Sequence, residues 1–331
     1  VITNLSSSVL CALISAGTIF KAASALPQRA IVGGVTAEPG AFPYFASFDN
    51  GCAGALIAPD IVLTVAQCYN PSTVFVDNVY IGAYEWNSTA HGAAKRKCVA
   101  WLSHPDFDLS DISSSDVALC KLDEPVTIDD SLVSVEINAD NSFPLVGTDV
   151  IVMGLGSEVP LDPLGLPDFY FSNILQNVTL PIIDNAQCFT LMKERYENFQ
   201  AILGVDLGID FEMIANNVED KICHMFAAGG KDACVSDEGA PLVVRNYMGD
   251  GTFKDTIVAL VSFGYGCAMP DTPGVNHRVS SESDWIKTSA CVALGSVGSM
   301  CIPPTNPPTA APTKKTKKTK KPKKTKSPKR L

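Results

Sequence analysis

Histidine is scarce in this chain: His91, His104, His224 and His277 are the only four in 331 residues. Chemistry that runs on imidazole has few candidates here. The eleven cysteines contain no Cys-x-x-Cys pair, which excludes a zinc ribbon or a thioredoxin-like site. No metal and no cofactor is expected. The one long apolar run, Val9 to Phe20, is too short to span a bilayer as a helix, so no transmembrane segment is expected. Bases are few before residue 303 relative to acids. Of 25 Lys and Arg, eleven fall in residues 303–331, which leaves 14 bases against 35 acids in the rest. An acidic body of this kind repels nucleic acid and anionic membranes and favours basic partners, and it also aids solubility.

What is present divides the chain into four parts. Residues 1–26 read as a secretory signal, with Val9 to Phe20 as its apolar stretch and Ala23-Ser24-Ala25 as small residues for cleavage. Residues 27–30 form a short pro-segment. Residues 31–302 are the folded body. Residues 303–331, rich in Pro, Thr and then Lys, cannot pack a core and read as an extended basic tail, suited to an anionic wall polymer.

Within the body, short β-rich runs recur: Ile61 to Val65, Thr73 to Tyr80, Val117 to Leu122, Val150 to Val152, Val178 to Leu180, Leu242 to Val244 and Ile257 to Phe263. Gly, Pro, Asn and Asp separate them, which predicts an all-β barrel or sandwich. Helices are predicted over Asp184–Gln200, where Asp184 is an N-cap type, and over Ser283–Ala290. Asn87-Ser88-Thr89 and Asn177-Val178-Thr179 are N-glycosylation acceptors, at Asn87 and Asn177. Setting aside Cys11 in the signal, ten cysteines remain, an even number that fits five disulfides in a secreted protein.

Several segments then line up in one order. They are Ile31-Val32-Gly33-Gly34, Cys52-Ala53-Gly54-Ala55-Leu56-Ile57 with Leu63-Thr64-Val65-Ala66-Gln67-Cys68, Asp116-Val117-Ala118-Leu119, and Lys231-Asp232-Ala233-Cys234-Val235-Ser236-Asp237-Glu238-Gly239-Ala240-Pro241-Leu242. Val261-Ser262-Phe263-Gly264-Tyr265-Gly266-Cys267 and Pro273-Gly274-Val275 follow. Together they resemble the trypsin-like, chymotrypsin-fold serine endopeptidases over roughly Ile31 to Lys287. The resemblance implies two antiparallel β-barrels with a cleft between them and a short C-terminal helix. It implies the disulfides Cys52–Cys68, Cys188–Cys223 and Cys234–Cys267. Cys98 and Cys120 fall on strands that it makes neighbours and pair next, and Cys291–Cys301 remains.

The departures from the family bear on function. The resemblance places Gln67, Asp116 and Glu238 at the positions of the catalytic His, Asp and Ser. An amide cannot take a proton near neutral pH, and a carboxylate has no hydroxyl to acylate. Glu238 also brings negative charge where an oxyanion would form. Ser236 stands where a Gly normally donates an oxyanion-hole N–H. No catalytic residue set is therefore intact, and none of the four histidines stands at the required position. His104 belongs to a structural segment, His277 to the strand after the pocket, and His91 and His224 to loops.

The specificity pocket matches the trypsin-like kind, with Asp232 at its floor and Ser262, Gly264 and Gly274 on its walls. It could receive an Arg or Lys side chain. The activation ion pair would join the Ile31 ammonium to Asp237. Because Arg29-Ala30 precede Ile31, a cut after Arg29 leaves the new terminus one residue too long, whereas a cut after Ala30 restores it.

This pattern implies an inactive homologue, secreted, that binds another protein carrying a basic contact surface. Its plan is similar to that of the glucanase inhibitor proteins of oomycete plant pathogens, which combine a signal, a trypsin-like body and a broken triad and act in virulence. The segment Lys193 to Val218 is longer than the family usually has there and is the expected partner-binding region. Two alternatives stay open: an active endopeptidase cleaving after Arg or Lys, and an adhesive, wall-associated scaffold.

Overall fold

The computed structural model describes residues 31–69, 78–109, 111, 114–127, 133–157, 159–160, 171–204 and 218–301. The expected signal, pro-segment and basic tail lie outside the described residues, as does most of the predicted strand Thr73–Tyr80.

The first barrel is built from β2 (Phe45–Phe48), β3 (Ala53–Ala58), β4 (Ile61–Thr64), β5 (Asn78–Ile81), β6 (Ala94–Ser103) and β7 (Ala118–Leu122). They close in the order β2-β3-β4-β7-β6-β5. The second uses β9 (Asp149–Gly154), β10 (Gln176–Ile183), β11 (Lys221–His224), β12 (Pro241–Tyr247), β13 (Phe253–Gly264) and β14 (Gly274–Arg278). These run β10-β11-β14-β13-β12-β9, and the β9–β10 pairing closes the ring. Within each ring all pairings are antiparallel. The short β1 (Val35–Thr36) adds to β10, and β8 (Val133–Ile137) lies parallel to β13.

Alternation sets which residues face inward. Along β10, Gln176, Val178, Leu180 and Ile182 are buried and their neighbours are less so, the period-2 signature of a strand with one covered face. β4 and most of β13 are instead buried throughout, because neighbours cover both faces. One continuous apolar cluster runs through both barrels, from Phe45, Phe48 and Leu63 to Val152, Leu242 and Leu260.

The helices follow the sequence closely. α1 (Asn185–Leu203) begins after Asp184, whose carboxylate accepts the Gln187 N–H at 3.1 Å. It ends at Gly204 in the left-handed conformation (φ 66°), beyond the predicted Gln200. Its last turns occupy Lys193–Leu203 of the long segment, and residues 205–217 of that segment lie outside the described residues. α2 (Ser283–Thr288) is shorter than predicted and passes into a wider turn over Ser289–Ala293.

Five disulfides are formed: Cys52–Cys68, Cys98–Cys120, Cys188–Cys223, Cys234–Cys267 and Cys291–Cys301. An ion pair inside the second barrel also ties it to the segment that leads into β2. Arg245 on β12 grips Asp255 on β13 through Nε (2.7 Å) and Nη2 (2.5 Å), and Nη2 also donates to the Ala41 carbonyl at 2.9 Å. Tyr44 donates its hydroxyl to the same carboxylate at 2.5 Å. The rings of Phe42 and Phe253 flank the guanidinium.

Candidate active-site cleft

The residues singled out by motif meet where the two barrels face each other. Gln67 sits in a 3₁₀ turn, Ala66–Cys68, just after β4. Asp116 lies two residues before β7 and is 5% exposed. Because β4 and β7 pair edge to edge, these two segments emerge side by side. Ser262 reaches them from β13 of the other barrel.

Their hydrogen bonds form a closed set. Asp116 Oδ1 accepts the Gln67 backbone N–H at 2.9 Å. Its Oδ2 accepts Gln67 Nε2–H at 2.8 Å and the Ser262 hydroxyl at 2.6 Å. Gln67 Nε2 also donates to the Ser262 carbonyl at 2.7 Å. A primary amide has two hydrogens on nitrogen, and both are used. Burial holds the Asp116 carboxyl above the usual carboxylate range, against the pull of the Ser262 and Gln67 hydrogen bonds and of the Lys221 charge. The arrangement anchors an orienting carboxylate, but the group it orients has no basic atom to offer.

Glu238 occupies the tight turn before β12. Gly239, at φ +83°, permits that turn, and a Cβ there would lie 2.1 Å from the Ala53 carbonyl oxygen. The Glu238 carbonyl accepts the Ala53 N–H at 2.8 Å, which ties the turn to the first barrel. The Glu238 carboxylate folds back: Oε2 accepts the Ser236 N–H at 2.8 Å, and Glu238's own N–H supports the charge as well. These are the N–H groups that would face an oxyanion. Burial raises the Glu238 carboxyl above its ordinary range, the two N–H groups pull it down, and the charge of Asp116 adds to the rise. Ser236 holds the left-handed conformation (φ 71°) that a Gly would adopt without strain.

Asp237 is fully buried. Oδ1 accepts the Gly156 N–H and Oδ2 the Cys234 N–H, each at 2.9 Å. Burial pushes its carboxyl up to about 8, with Glu238 and Asp232 adding to the rise. Ile31 is also fully buried and lies on the same side of Gly154 as Asp237. A Cβ on Gly154 would meet Asp237 Oδ1 at 2.0 Å and Ile31 Cδ1 at 3.5 Å. The two residues of the expected activation pair are thus brought together around one glycine.

The pocket residues share a cavity. Asp232, Ser262, Gly264 and Gly274 line it, Glu238 closes one side, and the Cys234–Cys267 bridge forms part of the wall. His224 lines it too, which the sequence reading did not anticipate. It closes strand β11 rather than lying in a loop, and it is 1% exposed. Its register partner is Gly274 on β14. A histidine eight residues before the pocket acid is the one sequence signal that could have drawn notice to it. Of the other histidines, His277 is fully buried on β14, and burial with the Lys221 charge keeps it well below the ordinary imidazole range. His104 pairs with Glu282 at 3.1 Å and packs on Trp285. Among the described residues no cluster of three or more metal-ligating side chains occurs.

Comparison with known proteins agrees with this architecture. The trypsin family model matches residues 31–286. Anionic trypsin of the dog (Canis lupus familiaris) is 27% identical over 263 residues, which covers 78% of this chain and 89% of that protein. With the matched segment spanning both barrels and every motif of the cleft, the chain belongs to the trypsin family.

Proposed function

We propose that the protein is a secreted trypsin-family homologue without peptidase activity, which works by binding and inhibiting another secreted protein, such as a hydrolase of the glucanase kind. One observation carries the reading: the Glu238 carboxylate rests on the N–H groups that a peptidase keeps free for the oxyanion. The replacement is doubled by Gln67, whose two amide hydrogens are bound to Asp116 and Ser262. A peptidase needs a base, a nucleophile and free oxyanion donors at once. In subtilisin, loss of triad members costs on the order of a millionfold in turnover.

Secretion is supported by the five disulfides, and among the described residues no helix is long and apolar enough to cross a membrane. The acidic body favours a partner with a basic contact surface.

The test has two arms. Purified protein is assayed on Arg and Lys peptide substrates, and the full chain is used to capture partners from the extracellular fluid that it meets. Expected are no turnover above buffer and a stoichiometric protein partner whose own activity falls on binding. Hydrolysis that disappears with Asp232→Ala would establish the active endopeptidase instead. Capture of polymer alone, lost when residues 303–331 are removed, would establish the wall-associated scaffold.

The two acceptor asparagines give a separate prediction. Asn87 is exposed in a loop at φ 50°. Asn177 lies in β10 between β1 and β9, with its amide donating to the Val35 carbonyl at 3.4 Å. The secreted product is expected to carry one N-glycan, at Asn87. Asn87→Gln should abolish the gel shift on N-glycosidase treatment, and a shift that persists would place the glycan on Asn177.

A further inference from the structure

Asp232 is 3% exposed, and both of its oxygens are engaged by the chain itself. Oδ1 lies 2.7 Å from His224 Nε2, and Oδ2 accepts the Ala268 N–H at 2.8 Å. Asn276 settles the tautomer of the ring. Its Nδ2 donates to the Ile222 carbonyl at 2.9 Å, so Nδ2 is also the donor toward His224 Nδ1, 2.9 Å away. Nδ1 therefore accepts, and Nε2 carries the hydrogen that Asp232 receives. The imidazole is bonded at both nitrogens and held in one orientation.

The ring also takes up space. It lies against Gly274, where a Cβ would come within 2.6 Å of both Cε1 and Nε2. What remains of the pocket is a cavity of about 90 Å³. That is small beside the several hundred Å³ of ordinary small-molecule sites.

We infer that His224 is a built-in ligand of this pocket: its imidazole stands in for a basic side chain on Asp232 and closes the pocket to arginine and lysine. An incoming cation would have to break the His224–Asp232 bond and displace a ring fixed by Asn276 and backed by Gly274. The pocket acid thus satisfies itself without a guest. A basic partner is met elsewhere on the acidic surface, not by insertion of an anchor here. The inference concerns the pocket alone and does not depend on the inhibitor reading.

The test is calorimetric titration of benzamidine, a rigid cation, into the full chain and its variants. The wild-type protein is expected to show no saturable binding at millimolar ligand. His224→Ala removes the internal donor and vacates the ring's volume. It should bind benzamidine about ten- to hundredfold more tightly than wild type. His224→Ala with Asp232→Ala should lose the gain. Equal affinity in wild type and His224→Ala would overturn the inference, as would no binding by a His224→Ala protein whose unfolding temperature matches wild type. Should that variant fail to fold, the wild-type titration decides on its own: saturable binding abolished by Asp232→Ala would overturn the inference, and none would uphold it.

Discussion

Chain left uncut before Ile31 is expected to lose stability as pH rises from about 4 to about 8, and chain cut before Ile31 is not. Asp237 is the cause. It is fully buried, its oxygens meet only two backbone N–H groups among the described residues, and its carboxyl is pushed up to about 8. Its unfolded value is near 3.8. Between those two pH values the native state holds a proton that the unfolded state has released, so stability falls as pH rises. At 1.36 kcal/mol per pH unit the whole swing is about 6 kcal/mol as an upper bound.

A cut before Ile31 supplies an α-ammonium on a residue already seated beside Asp237. The pair would favour the charged carboxylate and lower its pKa, which removes the loss. Scanning calorimetry from pH 4 to 8 on both forms checks this. Asp116 and Glu238 are also raised by burial, but they are common to both forms and cancel in the difference. Parallel profiles for the two forms would show that Asp237 has another source of compensation. A divergence above pH 6 would show that the activation device still operates in this chain.

The second large effect concerns Arg245. Arg245→Met is expected to cost about 3–5 kcal/mol, because it leaves the fully buried Asp255 without its cation. For a body of this size that lowers the melting temperature by roughly 10 °C. Arg245→Met with Asp255→Leu should recover much of the loss, because removing both charges of a buried pair costs far less than removing one. Tyr44 then keeps a hydroxyl without its acceptor, so recovery is expected to be incomplete unless Tyr44→Phe is added. Urea denaturation of the single, double and triple variants measures each step. A single-variant cost below 1 kcal/mol would mean that the burial of Asp255 does not depend on the Arg245 charge.

Much of this architecture can be read from the sequence because it is local. The alternation along β10, the Asp184 cap and each single cleft motif lie within a few residues of chain. Gln67, Asp116 and Glu238 can be singled out without coordinates because the family resemblance places each inside such a motif. What each side chain then does is set by partners far along the chain. Gln67 bonds to the Ser262 carbonyl, 195 residues away, and Tyr44 bonds to Asp255, 211 residues away. His224 could not be placed because its direction depends on β11 pairing with β14, and a lone Cys-His step gives no sign of that register. Glu238 was read as a lost nucleophile, yet the path of its side chain back onto the Ser236 N–H depends on a turn geometry that composition does not encode. The Arg245–Asp255 pair lies across a hairpin and in direct register, so pattern reading could have found it.

The folded-back Glu238 has a last consequence, for the protein's exposure to others. Proteinaceous blockers that disarm peptidases of this fold by presenting a backbone carbonyl to the cleft would find its donors already taken. A chain with its donors so occupied would not be drained from solution by blockers of that kind. The same side chain thereby leaves a trypsin-shaped surface free to persist where one with open donors would be neutralised.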